Sequence, residues 1–130
     1  MLSFIKDHNK KGQLAEQLAL NYLQQQGLSR LQENFSCKHG EIDLIMRDNE
    51  FIVFIEVRYR KKTQFGHPLE TINRAKQKKI IKTIEYFLLL NPKFNQLACR
   101  IDALAIHSQT EAQSQTDKDQ IDWVKNAISA

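Results

Sequence analysis

Cysteine is nearly missing from this chain. Only Cys37 and Cys99 occur, far apart and in no CxxC or Cys/His cluster. That argues against a disulfide framework and against a structural zinc site. Two reduced, partly buried thiols are the expectation. Long apolar runs are lacking too, and none is long enough to span a bilayer. The opening MLSFIKDHNKKG carries Lys6, Asp7, Lys10 and Lys11, and no apolar stretch of a secretory signal follows. These absences together predict a cytoplasmic protein.

What is present fits one globular domain over residues 1–130. Hydrophobic residues make up 42% and charged residues 26%, enough to bury a core. The net charge is +4 and the pI about 9.1, but the charge is unevenly spread. Between Arg58 and Lys82 stand nine basic residues and one acid, Glu70, for +8, which leaves −4 for the remainder. Such asymmetry points either to a polyanionic partner or to a solvated helix face with a basic loop.

The spacing predicts a helix from about Asn9 to Gln26, with Leu14, Ala15, Leu18, Ala19, Tyr22 and Leu23 as its apolar stripe. Gly27 follows as a stop. Glu16 falls at the margin of the stripe, where a carboxylate either looks into a cleft or is simply exposed. Leu28 to Cys37 reads as a weak strand, Lys38-His39-Gly40 as a turn, and Glu41–Arg47 and Phe51–Arg58 as strong strands joined through Asp48-Asn49-Glu50. Tyr59 to Pro68 reads as a loop. Thr71 caps a second helix running to about Leu90, which Asn91-Pro92 ends. Ala98–His107 alternates as a strand, and Arg100 and Asp102 on it pair structurally. Ser108–Asp119, rich in Gln, Ser and Thr, reads as a flexible loop. Ile121–Ile128 is a final strand or short element anchored by Trp123. The order α-β-β-β-α-β-β predicts an α/β domain: one mixed sheet flanked by helices, with a parallel crossover between Phe51 and His107.

The chemistry gathers on the central hairpin. Alternation places Glu41, Asp43 and Ile45 on one face of their strand, and Ile52, Phe54, Glu56 and Arg58 on one face of the next. With a two-residue turn at Asn49-Glu50, Asp43 pairs directly with Glu56; a turn at Asp48-Asn49 shifts the register by two and keeps both acids on one face. Both carboxylates interrupt apolar runs, EIDLIM and FIVFIEV. Buried neighbouring carboxylates repel and are costly unless a positive charge joins them. A divalent cation with oxygen ligands would do so, and so would a plain ion pair to Arg58.

An acid on one strand, an ExK-type pair on the next and a Glu on the preceding helix resemble the PD-(D/E)xK nuclease superfamily. Glu16 resembles the helical acid of its Holliday junction resolvase branch, Asp43 the strand acid and Glu56 the second metal-binding acid. Arg58 occupies the place of the motif lysine. More narrowly, the chain resembles the YraN-like family of bacterial proteins. The matching pieces are GQLAEQLALNYLQQQG, ENF, GEIDLIMRD, FIEVRYR, FGHPLETINRAKQKK, CRIDALAI and WVKNAI, which cover nearly the whole chain in order.

The resemblance implies a restriction-endonuclease-like domain and an endonuclease cutting structured or branched DNA with Mg²⁺ or Mn²⁺. Asp43, Glu56 and Glu16 would hold the metal, and Arg58 would touch the scissile phosphate. Arg60, Lys61, Lys62, Arg74, Lys76, Lys78 and Lys79 would track the nucleic-acid backbone. Similarity to junction resolvases also implies a homodimer. Arginine stays protonated at physiological pH and cannot act as a base. The departure at Arg58 therefore leaves a second reading open, a weak or inactive nucleic-acid-binding module of the same fold. Among the remaining residues, His39 and His67 lie on loops near the site. Tyr59 and Phe65, set among cations, could stack on bases or pack under the loop.

Overall fold

The computed structural model describes residues 10–60, 73–107 and 120–128. Helix α1 spans Lys10–Gln25, followed by β1 (Ser29–Cys37), β2 (Gly40–Asp48) and β3 (Phe51–Arg60). Helix α2 covers Arg74–Leu90, a 3₁₀ turn Pro92–Phe94, and strands β4 (Ala98–His107) and β5 (Gln120–Ile128) complete the order. This is the α-β-β-β-α-β-β arrangement the sequence predicts. The five strands form one sheet in the order β1-β2-β3-β4-β5. Only β3 and β4 run parallel, joined by the α2 crossover, while the other neighbours are antiparallel.

Each helix covers one face of the sheet because each has one apolar stripe. Ala15, Ala19 and Leu23 of α1 pack on Leu44, Met46, Val53 and Ile55. Ile80, Ile84 and Phe87 of α2 pack on Ile45, Ile52, Phe54 and Ile101. Strand β3 is covered on both sides, which is why it reads as a continuous apolar run, with Ile52 to Ile55 at most 1% exposed. Phe87 meets Phe35 and Phe54 edge-on at 5.1 and 5.8 Å, the arrangement aromatic quadrupoles favour. Burying such a side chain contributes about 2–3 kcal/mol.

Helix ends follow local chemistry. Gly27 takes φ 101, its N–H donates to Gln24 and that of Leu28 to Leu23, so a Schellman motif stops α1. Helix α2 begins later than expected. Its cap is Asn73, whose Oδ1 accepts the Lys76 N–H at 2.9 Å, whereas Thr71, the expected cap, lies outside the described residues. Both types can cap, and the Asn sits where the chain enters the helix in extended form. Strand β3 also outruns its expected end, reaching Arg60. The expected flexible loop at Ser108–Asp119 lies outside the described residues.

Arg100 and Asp102 pair as expected, at 2.9 Å. Arg100 also reaches Asp48 at 3.1 Å. Asp102, 0% exposed, further accepts from Trp123 Nε1 and the Asn126 N–H. Trp123 is therefore an anchor by hydrogen bond as well as by packing, with Tyr22 against its ring. No helix among the described residues is long and apolar enough to cross a membrane.

Candidate metal and phosphate site

The β2–β3 hairpin closes at Asn49, where φ 57 lets the chain reverse. Its ladder runs from Asp48↔Phe51 to Leu44↔Ile55. The next pair in that register is Asp43 and Glu56, as the two-residue turn predicts. Here the backbone ladder gives way. The Val57 N–H donates to Asp43 Oδ2 at 2.8 Å.

Simple alternation does not hold at this point, and this corrects the expectation for Glu41, Asp43 and Ile45. Ile42 and Ile45 both pack on the α2 side although they are three residues apart, so β2 switches faces between them. The neighbouring strand switches in step. Glu33 pairs with Leu44 and Phe35 with Ile42, and Asn34 between them has φ 54. Asparagine tolerates this left-handed conformation better than most residues. The twist turns Asp43 away from a pure sheet face and lets its carboxylate reach Glu16 on α1 as well as the Glu56 side.

Three acids thus share one locality from α1, β2 and β3. Glu16 and Asp43 are hydrogen-bonded to each other, in the sense that raises Glu16 and lowers Asp43. Burial, then the nearby Asp43 charge, push Glu16 up to about 7, against a restraining hydrogen bond from Asn34. Burial also raises Asp43, opposed first by the Val57 N–H. Glu56 is 7% exposed. Burial and then Asp43 push it to about 7, with Lys76 and Arg58 pulling the other way.

The cations complete the picture. Lys76 Nζ lies 3.8 Å from Glu56 Oε2, a charge neighbour rather than a hydrogen bond. The Nε and Nη2 groups of Arg58 are buried and make no hydrogen bond. Leaving such donors unmade is costly, more so for a charged group. A cleft of about 290 Å³ opens over these side chains, lined by Glu41, Asp43, Glu56, Arg58, Lys76 and Lys79 with Gly40, Val57 and Ile80. Glu16 is not part of that lining and joins the site through Asp43.

The structure therefore brings together Asp43, Glu56, Arg58, Lys76 and Lys79 around one opening, with Glu16 behind. Arg74 and Lys78 are exposed on α2. Arg60 ends β3, while Lys61, Lys62, Phe65 and His67 lie outside the described residues. Tyr59 is 38% exposed. Sequence reasoning missed the part played by Asn34, for which the only signal was a turn-prone residue in the middle of a strand. It also could not tell which lysine of α2 reaches the cleft.

Carboxylate oxygens are the hard donors that Mg²⁺ and Mn²⁺ take, so the chemistry of Asp43, Glu56 and Glu16 fits such an ion. Among the described residues no three acid, His or Cys side chains are already grouped so as to hold a metal.

A mixed five-stranded sheet with a helix on each face, carrying buried acids at the open end of a central hairpin, defines the class. The chain belongs to the uncharacterised protein family UPF0102, which matches residues 15–106. It is 46% identical over 120 residues to the UPF0102 protein of Psychromonas ingrahamii, covering 92% of this chain and 90% of that one. It is 41% identical over 125 residues to a UPF0102 protein of Pseudomonas fluorescens, covering 96% and 98%. A Coxiella burnetii UPF0102 protein is 44% identical over 119 residues, 92% of each.

Proposed function

We propose that the cleft is a divalent-metal-dependent phosphodiesterase site of the PD-(D/E)xK kind, acting on structured or branched DNA as junction resolvases do. The observation that carries this reading is Arg58. Its side chain lines the cleft beside buried carboxylates, and two of its guanidinium N–H donors are buried with no hydrogen bond made. Arginine presents planar paired donors that match phosphate oxygens, and the unmade bonds are recovered when such an anion enters.

The carboxylates supply the complementary half. Asp43 and Glu56, with Glu16 behind, would hold Mg²⁺ or Mn²⁺, which would supply a water of lowered pKa and positive charge beside the phosphate. Asp43 is fixed on β2 by the Val57 N–H, which donates to its Oδ2. Lys76 and Lys79 add positive charge at the rim. Helix α2 has no acid in its first turn, where the dipole would favour one. Arg74 and Lys76 stand there instead, so its N-terminal half is positive twice over and suits a polyanion.

The test is cleavage of junction, flap and single-stranded DNA with and without Mg²⁺ or Mn²⁺. The wild type should cut at least one of them, and Asp43→Ala should lose at least about a thousandfold of that rate. Equal cutting by both proteins would sink the proposal.

The permanent charge of Arg58 favours a second reading, a binding module of the same fold with little or no turnover. Arg58→Lys separates the two. Gain of cleavage in that variant, over an inactive wild type, would assign the natural chain to binding.

A further inference from the structure

Gly40 of the β1–β2 turn and Lys79 of α2 both line the cleft. Gly40 is pressed against the helix. A side-chain carbon added there would lie 3.1 Å from Thr83 Oγ1 and 3.8 Å from Lys79 Cβ, at a φ of 151 that side chains rarely adopt. The residue before it, His39, brings its ring centre to 6.1 Å from that of Tyr86, the planes at 66°. Lys79 lines the cleft and Tyr86 follows seven residues later. The two lie along one line of the helix, about 10 Å apart.

Tyr86 is 36% exposed. An edge contact from His39 steadies its ring, yet much of it meets solvent. Its surroundings are cationic, since Lys78, Lys79 and Lys82 are exposed on the same helix and Glu85 is the single acid in α2. A part-exposed ring among lysines is the arrangement that single-stranded nucleic acids use, bases stacking while the backbone is neutralised.

We propose that Tyr86, held by His39, is a stacking platform for an unpaired nucleobase close to the phosphate bound in the cleft, with Lys79 and Lys82 on the adjoining phosphates. This rests on the nuclease reading of the cleft and narrows its substrate to DNA in which an unpaired segment adjoins a duplex. A blunt duplex keeps its bases stacked inside and has none to offer.

Binding is measured on the full chain in EDTA, so that no cleavage intervenes. The probes are a blunt DNA duplex and the same duplex with a single-stranded tail carrying 2-aminopurine at successive tail positions. Stacking should quench the fluorophore at one tail position. Tyr86→Ala should lose that quench and bind tailed DNA about tenfold more weakly, with blunt duplex binding unchanged. Tyr86→Phe, which keeps the ring, should retain both, and His39→Ala should weaken the quench in part. An RNA tail quenching as well as the DNA tail would identify the base itself as the ligand.

Three results would overturn the platform. These are Tyr86→Ala matching wild type on tailed DNA, Tyr86→Phe losing as much as Tyr86→Ala, and a quench confined to the RNA tail. The nuclease reading fails separately. A Tyr86-dependent quench in a protein that cuts no DNA with Mg²⁺ or Mn²⁺ keeps the platform and discards the enzyme. Asp43-dependent cleavage without any quench does the reverse.

Discussion

Two clusters of acids around an arginine sit at opposite ends of the β2–β3 hairpin, and they are built on opposite terms. At the turn end, Arg100 bonds Asp48 and Asp102, and Asp102 collects further donors from Trp123 and Asn126. Every charge there is met within the chain. At the open end, Asp43, Glu56 and Glu16 crowd together, their carboxyls raised by burial, while two donors of Arg58 go unmade. The same residue types thus build a closed structural network in one place and an open one in the other. What separates them is satisfaction. A site that binds something else leaves its bonds incomplete until the ligand arrives.

The largest expected difference lies between the two arginines. Arg100→Ala strips the principal counter-charge from a fully buried Asp102 and should cost about 3–5 kcal/mol. The thermal midpoint, followed by circular dichroism, should fall by more than about 10 °C. Arg58→Met removes donors whose unmade bonds are themselves costly, which offsets its lost attraction to Glu56, so it should destabilise the fold by far less than Arg100→Ala, by no more than about 1 kcal/mol at pH 6. Equal costs at the two positions would break the comparison.

Next in size is Glu56→Gln. At pH 8 the wild type must hold a buried charge there, so the variant should be more stable by about 1–2 kcal/mol. That corresponds to a midpoint about 4–8 °C higher, together with loss of any cleavage. Destabilisation at pH 8 would mean that Glu56 is a structural partner of Lys76.

The pH dependence has a fixed sign. Glu16 and Glu56 move from 4.5 to about 7 on folding, so the folded chain holds more protons than the unfolded one between those values. Stability should therefore fall as pH rises through that window and level off above it. Thermal melts at pH 5 and pH 8 check this. Mn²⁺ or Mg²⁺ at pH 8 should restore part of the loss by binding the ionised form. The slope should flatten in Glu56→Gln.

Smallest are the effects at Asn34. Asn34→Gly keeps the left-handed turn of β1 and should cost a few tenths of a kcal/mol, while Asn34→Val should cost about 1–2 kcal/mol. Both lose the hydrogen bond that restrains Glu16, so the apparent titration of that acid, followed by NMR, should move upward in each.

The hairpin was legible in the sequence because Asp48-Asn49-Glu50 admits a short turn and the flanking runs are strongly apolar. That alone put Asp43 and Glu56 on one face of the hairpin, while the choice between a turn at Asn49-Glu50 and one at Asp48-Asn49 stayed open. Glu16 was legible as a residue at the edge of a stripe. The face switch at Asp43 was not, because it depends on a partner strand, where Asn34 bends in step. The choice among Lys76, Lys78 and Lys79 was not legible either. Each residue turns 100° about the helix, so which lysine meets the cleft is set by how α2 packs on the sheet, which periodicity alone does not give. The family relationship identifies the chain and leaves its chemistry to these contacts.

The parallel pairing of β3 with β4 bears on the order in which the chain can assemble. Asp43 and Val57 are 14 residues apart, while Asp48 and Arg100 are 52 apart. The first contact closes early, since short loops lose less entropy. The second must wait for the whole α2 crossover, and long-range pairing is slow. The carboxylates at the open end therefore meet before the sheet is complete. Variants of the Arg100 network should then mainly accelerate unfolding, leaving the rate of hairpin formation nearly untouched.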